Sequence, residues 1–158
     1  MLLYQGLSGM DNIVFLDVDG TMIPNNSEFM QCFNHEAGSY VYCPLITQRL
    51  IQFCKDYNCQ IVYNSSHCDQ GPFNMMKQAT HNGLKNFLHH TYWTTGYPIA
   101  YVNRLDAVYA WIGHNTDKFN FVILDDWKLK DRRAVKLDPI VGITDRDLIK
   151  AAKILGFK

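Results

Sequence analysis

Two carboxylates one residue apart, Asp17 and Asp19, close the apolar run Ile13-Val14-Phe15-Leu16 and lead into Gly20 and Thr21. In an extended chain, residues i and i+2 point the same way. Like charges so placed repel unless a cation or a proton sits between them. The glycine lets the backbone turn sharply or approach a ligand closely. A second apolar run, FVIL, ends in Asp125 and Asp126, and a third, QIVY, ends in Asn64, Ser65 and Ser66. Four carboxylates brought together would repel without a divalent cation, and an all-oxygen set favours magnesium over zinc.

These residues need a scaffold that collects strand ends. The runs NIVFLD (12–17), QIVYNSS (60–66), NFVILDD (120–126) and AVKLDP (134–139) read as strands, the continuously apolar ones as strands buried on both faces. TYWTT or PIAYV supplies a further strand. PLITQRLIQFCKDY (44–57) is a helix with Pro44 in its first turn. FNMMKQA and HNGLKNFLHH are short helical pieces broken near Gly83, with His89-His90 at a helix end where imidazolium suits the dipole. RLDAVYAWI (104–112) is a helix capped by Asn103, and GITDRDLIKAAKIL is another, with Thr144 and Asp147 as a capping box.

Strands alternating with helices predict an α/β fold, a three-layer sandwich around a parallel sheet of about five strands. In such sheets ligands sit beyond the carboxyl ends of the strands. That rule gathers Asp17, Asp19, Asn64, Ser65, Ser66, Asp125 and Asp126 on one rim.

At 158 residues the chain suits one domain over 1–158 and buries its own core. Fifteen basic and fifteen acidic residues argue against diffuse clinging to nucleic acid or anionic membrane, while leaving room for a local basic groove. No apolar run approaches a membrane span, and MLLYQGLSGMDN lacks the features of a secretory signal. The chain reads as cytoplasmic, and its oligomeric state is left open. Cys32, Cys43, Cys54, Cys59 and Cys68 form no C-x-x-C pair and read as reduced thiols rather than a zinc site. No GxxxxGK[ST] stretch exists, which excludes a P-loop.

Taken in order, the motifs resemble those of the haloacid dehalogenase-like (HAD) phosphohydrolases. DVDGT (17–21) matches their first motif, a residue of NSS (64–66) the second, Arg104 the third in place of the commoner lysine, and Asp125-Asp126 the fourth. Within that superfamily, the double serine, ILDD and DPIVGIT (138–144) are similar to small HAD domains grouped with predicted RNA-repair proteins. Members of that group often carry Trp-Arg after the serines, where this chain has His67 and Cys68.

The resemblance implies Asp17 as nucleophile, Asp19 as general acid and base, and an aspartyl-phosphate intermediate. It implies magnesium held by Asp17, the Asp19 carbonyl, and Asp125 or Asp126. It places phosphate contacts at the backbone of Val18 to Gly20 and at Ser65, with Asn64 competing for that place and Ser66 beside it. Arg104 would stabilise nucleophile and phosphoryl charge, and His67 is a candidate substrate contact. The bland alternatives are a polar strand end for the serines and a solvated first-turn residue for Arg104. Tyr92, Trp93 and Tyr97 offer either base stacking or core packing.

The interval 22–44 is too short for a large cap but suits a flap over Glu28 to Tyr42. An open or thinly covered site resembles the members acting on nucleic-acid ends or proteins, and that resemblance implies a phosphorylated nucleic-acid end, RNA or DNA, or a nucleotide as substrate. A protein or small-metabolite phosphatase, and a metal-binding adaptor without turnover, are the alternatives.

Overall fold

β-Branched and aromatic residues fit a pleated surface covered on both sides, and the apolar runs become strands. The computed structural model of the protein describes residues 10–30, 32–96, 103–115 and 117–158. In chain order the elements are β1 (Asp11–Leu16), β2 (Phe33–Asn34), β3 (Ser39–Tyr40), α1 (Pro44–Tyr57), β4 (Cys59–Tyr63), α2 (Pro72–His81), α3 (Arg104–His114), β5 (Phe119–Asp125), β6 (Ala134–Lys136) and α4 (Asp145–Ile154). Short 3-10 turns run over Ser66–Gln70 and Lys85–Phe87.

The four strands β4-β1-β5-β6 form a parallel sheet, with β1 between β4 and β5. The period of two divides their side chains between two cores. Val14, Leu16, Ile61, Tyr63, Val122 and Leu124 meet Leu50 of α1, Met75 of α2 and Ala151 of α4. Ile13, Phe15, Val62 and Ile123 meet Val108 and Trp111 of α3. This is the expected α/β sandwich. The TYWTT segment forms one isolated bridge instead of a fifth strand, Thr94 pairing with Tyr63, and Leu88 before it pairs with Ile61. PIAYV lies outside the described residues.

Helix ends follow the capping rules. Asn103 Oδ1 accepts from the Leu105 N–H at 2.8 Å, and Thr144 and Asp147 complete the capping box of α4. His89 departs from expectation. Its Nδ1 accepts from the Thr91 and Tyr92 N–H groups, and burial lowers its pKa, so the ring is a neutral brace rather than an imidazolium on a helix end.

The β2–β3 hairpin rises between β1 and α1. Asn82, at the end of α2, ties it down: its side chain bonds the Tyr40 carbonyl and the Tyr42 N–H, both at 2.8 Å. The Tyr40 ring then lies 4.7 Å from that of His67. Among the described residues, no helix is long and apolar enough to cross a membrane.

Candidate active site

Register brings the motifs together. Leu16 is level with Tyr63 and with Leu124, so Asp17 ends β1 beside Asn64 and Asp125. The Asp17 N–H continues the ladder to the Leu124 carbonyl at 3.1 Å, and the Asn64 N–H to Leu16 at 2.8 Å. Beyond Asp17 the chain winds tightly, the N–H groups of Thr21, Met22 and Ile23 all turning back to the Val18 carbonyl. The DPIVGIT segment buttresses this turn: Ile143 N–H donates to the Thr21 carbonyl at 3.1 Å. A Cβ on Gly142, whose φ is +68°, would stand 2.6 Å from that same oxygen.

Asp17, Asp125 and Asp126 form one cluster, with an oxygen of each within 4.8 Å of the others. Arg104, buried at the start of α3, faces all three. Its Nη1 lies 3.2 Å from Asp17 Oδ2, 2.8 Å from Asp125 Oδ1 and 3.8 Å from Asp126 Oδ1. The guanidinium stacks on the Trp127 ring, Cζ to centroid 3.9 Å. Asn64 holds the helix start in place, its Nδ2 donating to the Arg104 carbonyl and its Oδ1 accepting from Thr95 Oγ1. The surface-residue alternative for Arg104 therefore falls, because it is 7% exposed.

Three carboxylates facing that guanidinium leave two negative charges, which one divalent cation would balance. Two cluster oxygens, Asp17 Oδ1 and Asp126 Oδ1, are buried without a hydrogen-bond partner. Such atoms are costly unless a ligand meets them. An all-oxygen set with two orphaned atoms fits magnesium. Without a cation, burial and the Asp125 charge push the Asp17 carboxyl well above its usual range. Burial likewise pushes Asp125 up to about 6. Thr21 Oγ1 donates to Asp17 Oδ2 at 3.3 Å, a positioning contact that sequence reasoning left unassigned although DVDGT contains it.

Asp19 stands apart from the cluster. Its side chain is largely exposed and both its oxygens lie 3.1 Å from His67 Nε2, which lowers its pKa. His67 is buried and belongs to a chain of side chains running inward. Gln78 Nε2 meets His67 Nδ1 at 3.1 Å and donates to Tyr42 Oη at 2.6 Å, and Tyr42 donates to Tyr63 Oη at 3.0 Å. Gln70 Nε2 donates to Gln78 Oε1, which turns the amide so that its N–H faces the imidazole. Nδ1 is then the acceptor and Nε2 carries the proton toward Asp19. The structure thus sets His67 behind Asp19, where the sequence offered it as a substrate contact.

The second-motif residues separate by environment. The Asn64 amide is committed to Arg104 and Thr95. Ser65 is fully buried, and its Oγ accepts from the His67 N–H at 3.2 Å. Its own proton has no acceptor among the described residues. Ser66 is exposed at the start of the 3-10 turn. One expectation needs correction: Gly20 is not a free amide donor, because its N–H is bonded to the Ile23 carbonyl at 2.8 Å.

What Gly20 supplies is space. A Cβ there would lie 2.6 Å from Asp126 Oδ2 and 3.0 Å from Pro139 Cβ, on a backbone with φ +70°. Gly20→Ala is expected to cost about 2–4 kcal/mol from left-handed strain and overpacking. At this size that is a Tm fall of roughly 5–15 °C in thermal melts, together with weaker magnesium binding. An unchanged Tm would mean that Asp126 yields freely.

The expected aromatic cluster is divided. Trp93 packs against the core and donates to the Pro72 carbonyl, Tyr92 is exposed, and Tyr97 lies outside the described residues. Cys54, Cys59 and Cys68 are buried thiols; burial pushes Cys59 up to about 12 and Cys68 up to about 11.

A parallel α/β sheet whose strand ends hold an aspartate cluster, an arginine and a buried serine is the architecture of HAD phosphohydrolases. The family model described as the HAD domain in Swiss Army Knife RNA repair proteins matches residues 13–148, and the chain belongs to that family. No curated protein and no solved structure matches the chain.

Proposed function

We propose that the chain is a magnesium-dependent phosphomonoesterase, cytoplasmic, that removes a phosphate from a nucleic-acid end or a nucleotide. The observation that carries this is the charge imbalance at Asp17, Asp125, Asp126 and Arg104, with two buried carboxylate oxygens left without a partner. The family's association with RNA repair supports the substrate class.

Magnesium, held by Asp17, Asp125 and Asp126 with the Asp19 carbonyl, would neutralise the ligand charges and the transferring phosphoryl group. Asp17 supplies the attacking oxygen; its bond to phosphorus forms as the bond to the leaving oxygen breaks. Arg104 keeps Asp17 turned to the phosphorus and shares the phosphoryl charge. In this reading the Ser65 hydroxyl and the Val18 backbone would donate to the phosphoryl oxygens. Asp19, once protonated against the pull of His67, would give that proton to the leaving oxygen, then take one from the water that cleaves the aspartyl-phosphate and frees Asp17.

His67, against whose ring the hairpin residue Tyr40 packs, holds Asp19, and Gln78 fixes the imidazole. His67→Ala is expected to slow hydrolysis of alkyl phosphates about tenfold or more, while an aryl phosphate, whose leaving group needs little protonation, is largely spared. Equal losses on both substrates would show that His67 merely supports the fold.

The proposal is tested by phosphate release with magnesium or with a chelator. The panel contains 3′- and 5′-phosphorylated oligonucleotides, mononucleotides, phosphopeptides and sugar phosphates. Metal-dependent release from the nucleic-acid members is the expected result. Release confined to peptides or sugars would move the substrate class, and none from folded, magnesium-binding protein would favour a binding module.

A further inference from the structure

We propose that Trp127 and the loop after it form a docking platform for single-stranded nucleic acid, with the base beside the scissile phosphate stacked on the indole. The inference rests on the phosphatase reading only for where that phosphate sits.

The loop is held at the rim. β6 starts with Ala134 opposite Ile123, two residues before the end of β5, so residues 126–133 span only the carboxyl end of the sheet. Trp127 is the first residue after the acidic pair. Its N–H donates to Asp125 Oδ1 at 2.8 Å, and its ring lies on Arg104, whose Nη1 is 3.2 Å from the nucleophile. The indole is nonetheless 53% exposed. Exposed aromatic residues are ordinary when scattered singly; this one is fixed by its backbone and by a buried cation, one side chain away from the reacting centre.

The charge beside it is equally uneven. Lys128, Lys130, Arg132, Arg133 and Lys136 fall within nine positions of a chain whose formal net charge is zero. The one acid among them, Asp131, is itself engaged, accepting from Tyr109 Oη and from the Arg133 N–H. Arg133 packs over Phe121, and Lys136 donates to the Leu137 carbonyl. Lys128, Lys130 and Arg132 remain exposed, and none pairs with an acid among the described residues. An exposed indole followed by unpaired cations matches the alternation of bases and phosphates in a single strand. A duplex end would keep its bases stacked away from the ring.

The test measures binding with Asp17→Asn, which prevents turnover, in magnesium buffer. Fluorescence anisotropy would follow a phosphate-ended single-stranded oligonucleotide across a salt series, with a phosphopeptide as the comparison ligand. In that background Trp127→Leu is expected to weaken strand binding roughly 5- to 150-fold, the range for losing one base stack, and Trp127→Phe to restore most of it. Replacing Lys128, Lys130 and Arg132 by Ala is expected to lower the slope of log K against log salt by about 2, from about 0.7 per cation on a single strand. Strand affinity and slope untouched by both changes would overturn the platform. So would a phosphopeptide bound as tightly and lost in the same variants. Absence of phosphate release from wild-type protein would remove the phosphatase reading and leave this binding result standing.

Discussion

Asp17→Asn is expected to cut magnesium-dependent phosphate release by roughly 10⁴-fold or more, the scale on which loss of a covalent nucleophile is felt, while stabilising the metal-free fold at neutral pH. The two effects share one cause. Asp17 is 1% exposed, one of its oxygens has no partner, and it faces Asp125 and Asp126. As an ionised group in the absence of metal it is a burden on the fold that the reaction requires.

The pH dependence follows from the same carboxyls. Asp125 is pushed up to about 6, and Asp17 is raised by burial, against about 3.9 for an aspartate in the unfolded chain. A carboxyl with a raised folded pKa holds its proton more tightly in the fold. Its stabilising contribution is full below about pH 4 and is lost as the pH climbs through about 6 and beyond. The metal-free protein should therefore lose Tm over that climb. Magnesium binds the ionised carboxylates of the folded state and should restore Tm most at the upper end. Asp17→Asn should flatten the descent and shrink the gain from magnesium. Thermal melts between pH 4.5 and 8, with magnesium or chelator, read both. An undiminished magnesium gain in the variant would sink the assignment of Asp17 as a ligand.

Removal of Arg104 should have the largest effect on stability. Arg104→Met leaves Asp17 and Asp125 facing one another without their guanidinium and strips the stack from Trp127. Breaking a buried pair on one side costs about 3–5 kcal/mol, which at this size is a Tm loss on the order of 10 °C or more. The loss should be partly recovered by magnesium, or below about pH 5, where the orphaned carboxyls take up protons. Arg104→Lys keeps the charge without the planar fork or the stack, and should retain more stability while activity falls roughly 10- to 100-fold. A Lys variant no better than Met would mean that the fork and the Trp127 contact, rather than the charge, hold the site.

Much of this was legible in the order of residues. The apolar runs ending in DVDG, NSS and LDD needed only hydrophobic periodicity and the rule that α/β sheets place ligands at strand ends. Helix limits followed from Pro44, Asn103 and the Thr144–Asp147 box, whose signals are local. The flap expected between residues 22 and 44 was a matter of chain length, and the β2–β3 hairpin occupies that interval.

What stayed hidden depends on contacts between distant residues. Asn64, Ser65 and Ser66 are adjacent in sequence and equally polar. Only parallel register and the position of α3 commit Asn64 to the Arg104 carbonyl, leave the Ser65 hydroxyl buried, and put Ser66 in solvent. Gly20 read as a phosphate donor until the turn was closed by the Ile23 carbonyl and its Cβ position met Asp126. The Asp19–His67–Gln78–Tyr42 chain joins a loop, a 3-10 turn, a helix and the segment before α1, and no spacing announces it. Trp127 carried a signal, following LDD directly, but its exposure and its stack on Arg104 are tertiary facts.

The sequence by itself determined a parallel sheet and the rim on which Asp17, Asp125 and Asp126 meet, because burial on two faces and turn chemistry are written in neighbouring residues; that Asp19 turns away to His67, and that the sheet has four strands, it did not. The tertiary structure alone decided which of those groups are paired, orphaned or free. Those states depend on distances of a few ångströms between residues dozens of positions apart, where desolvation and charge act through space.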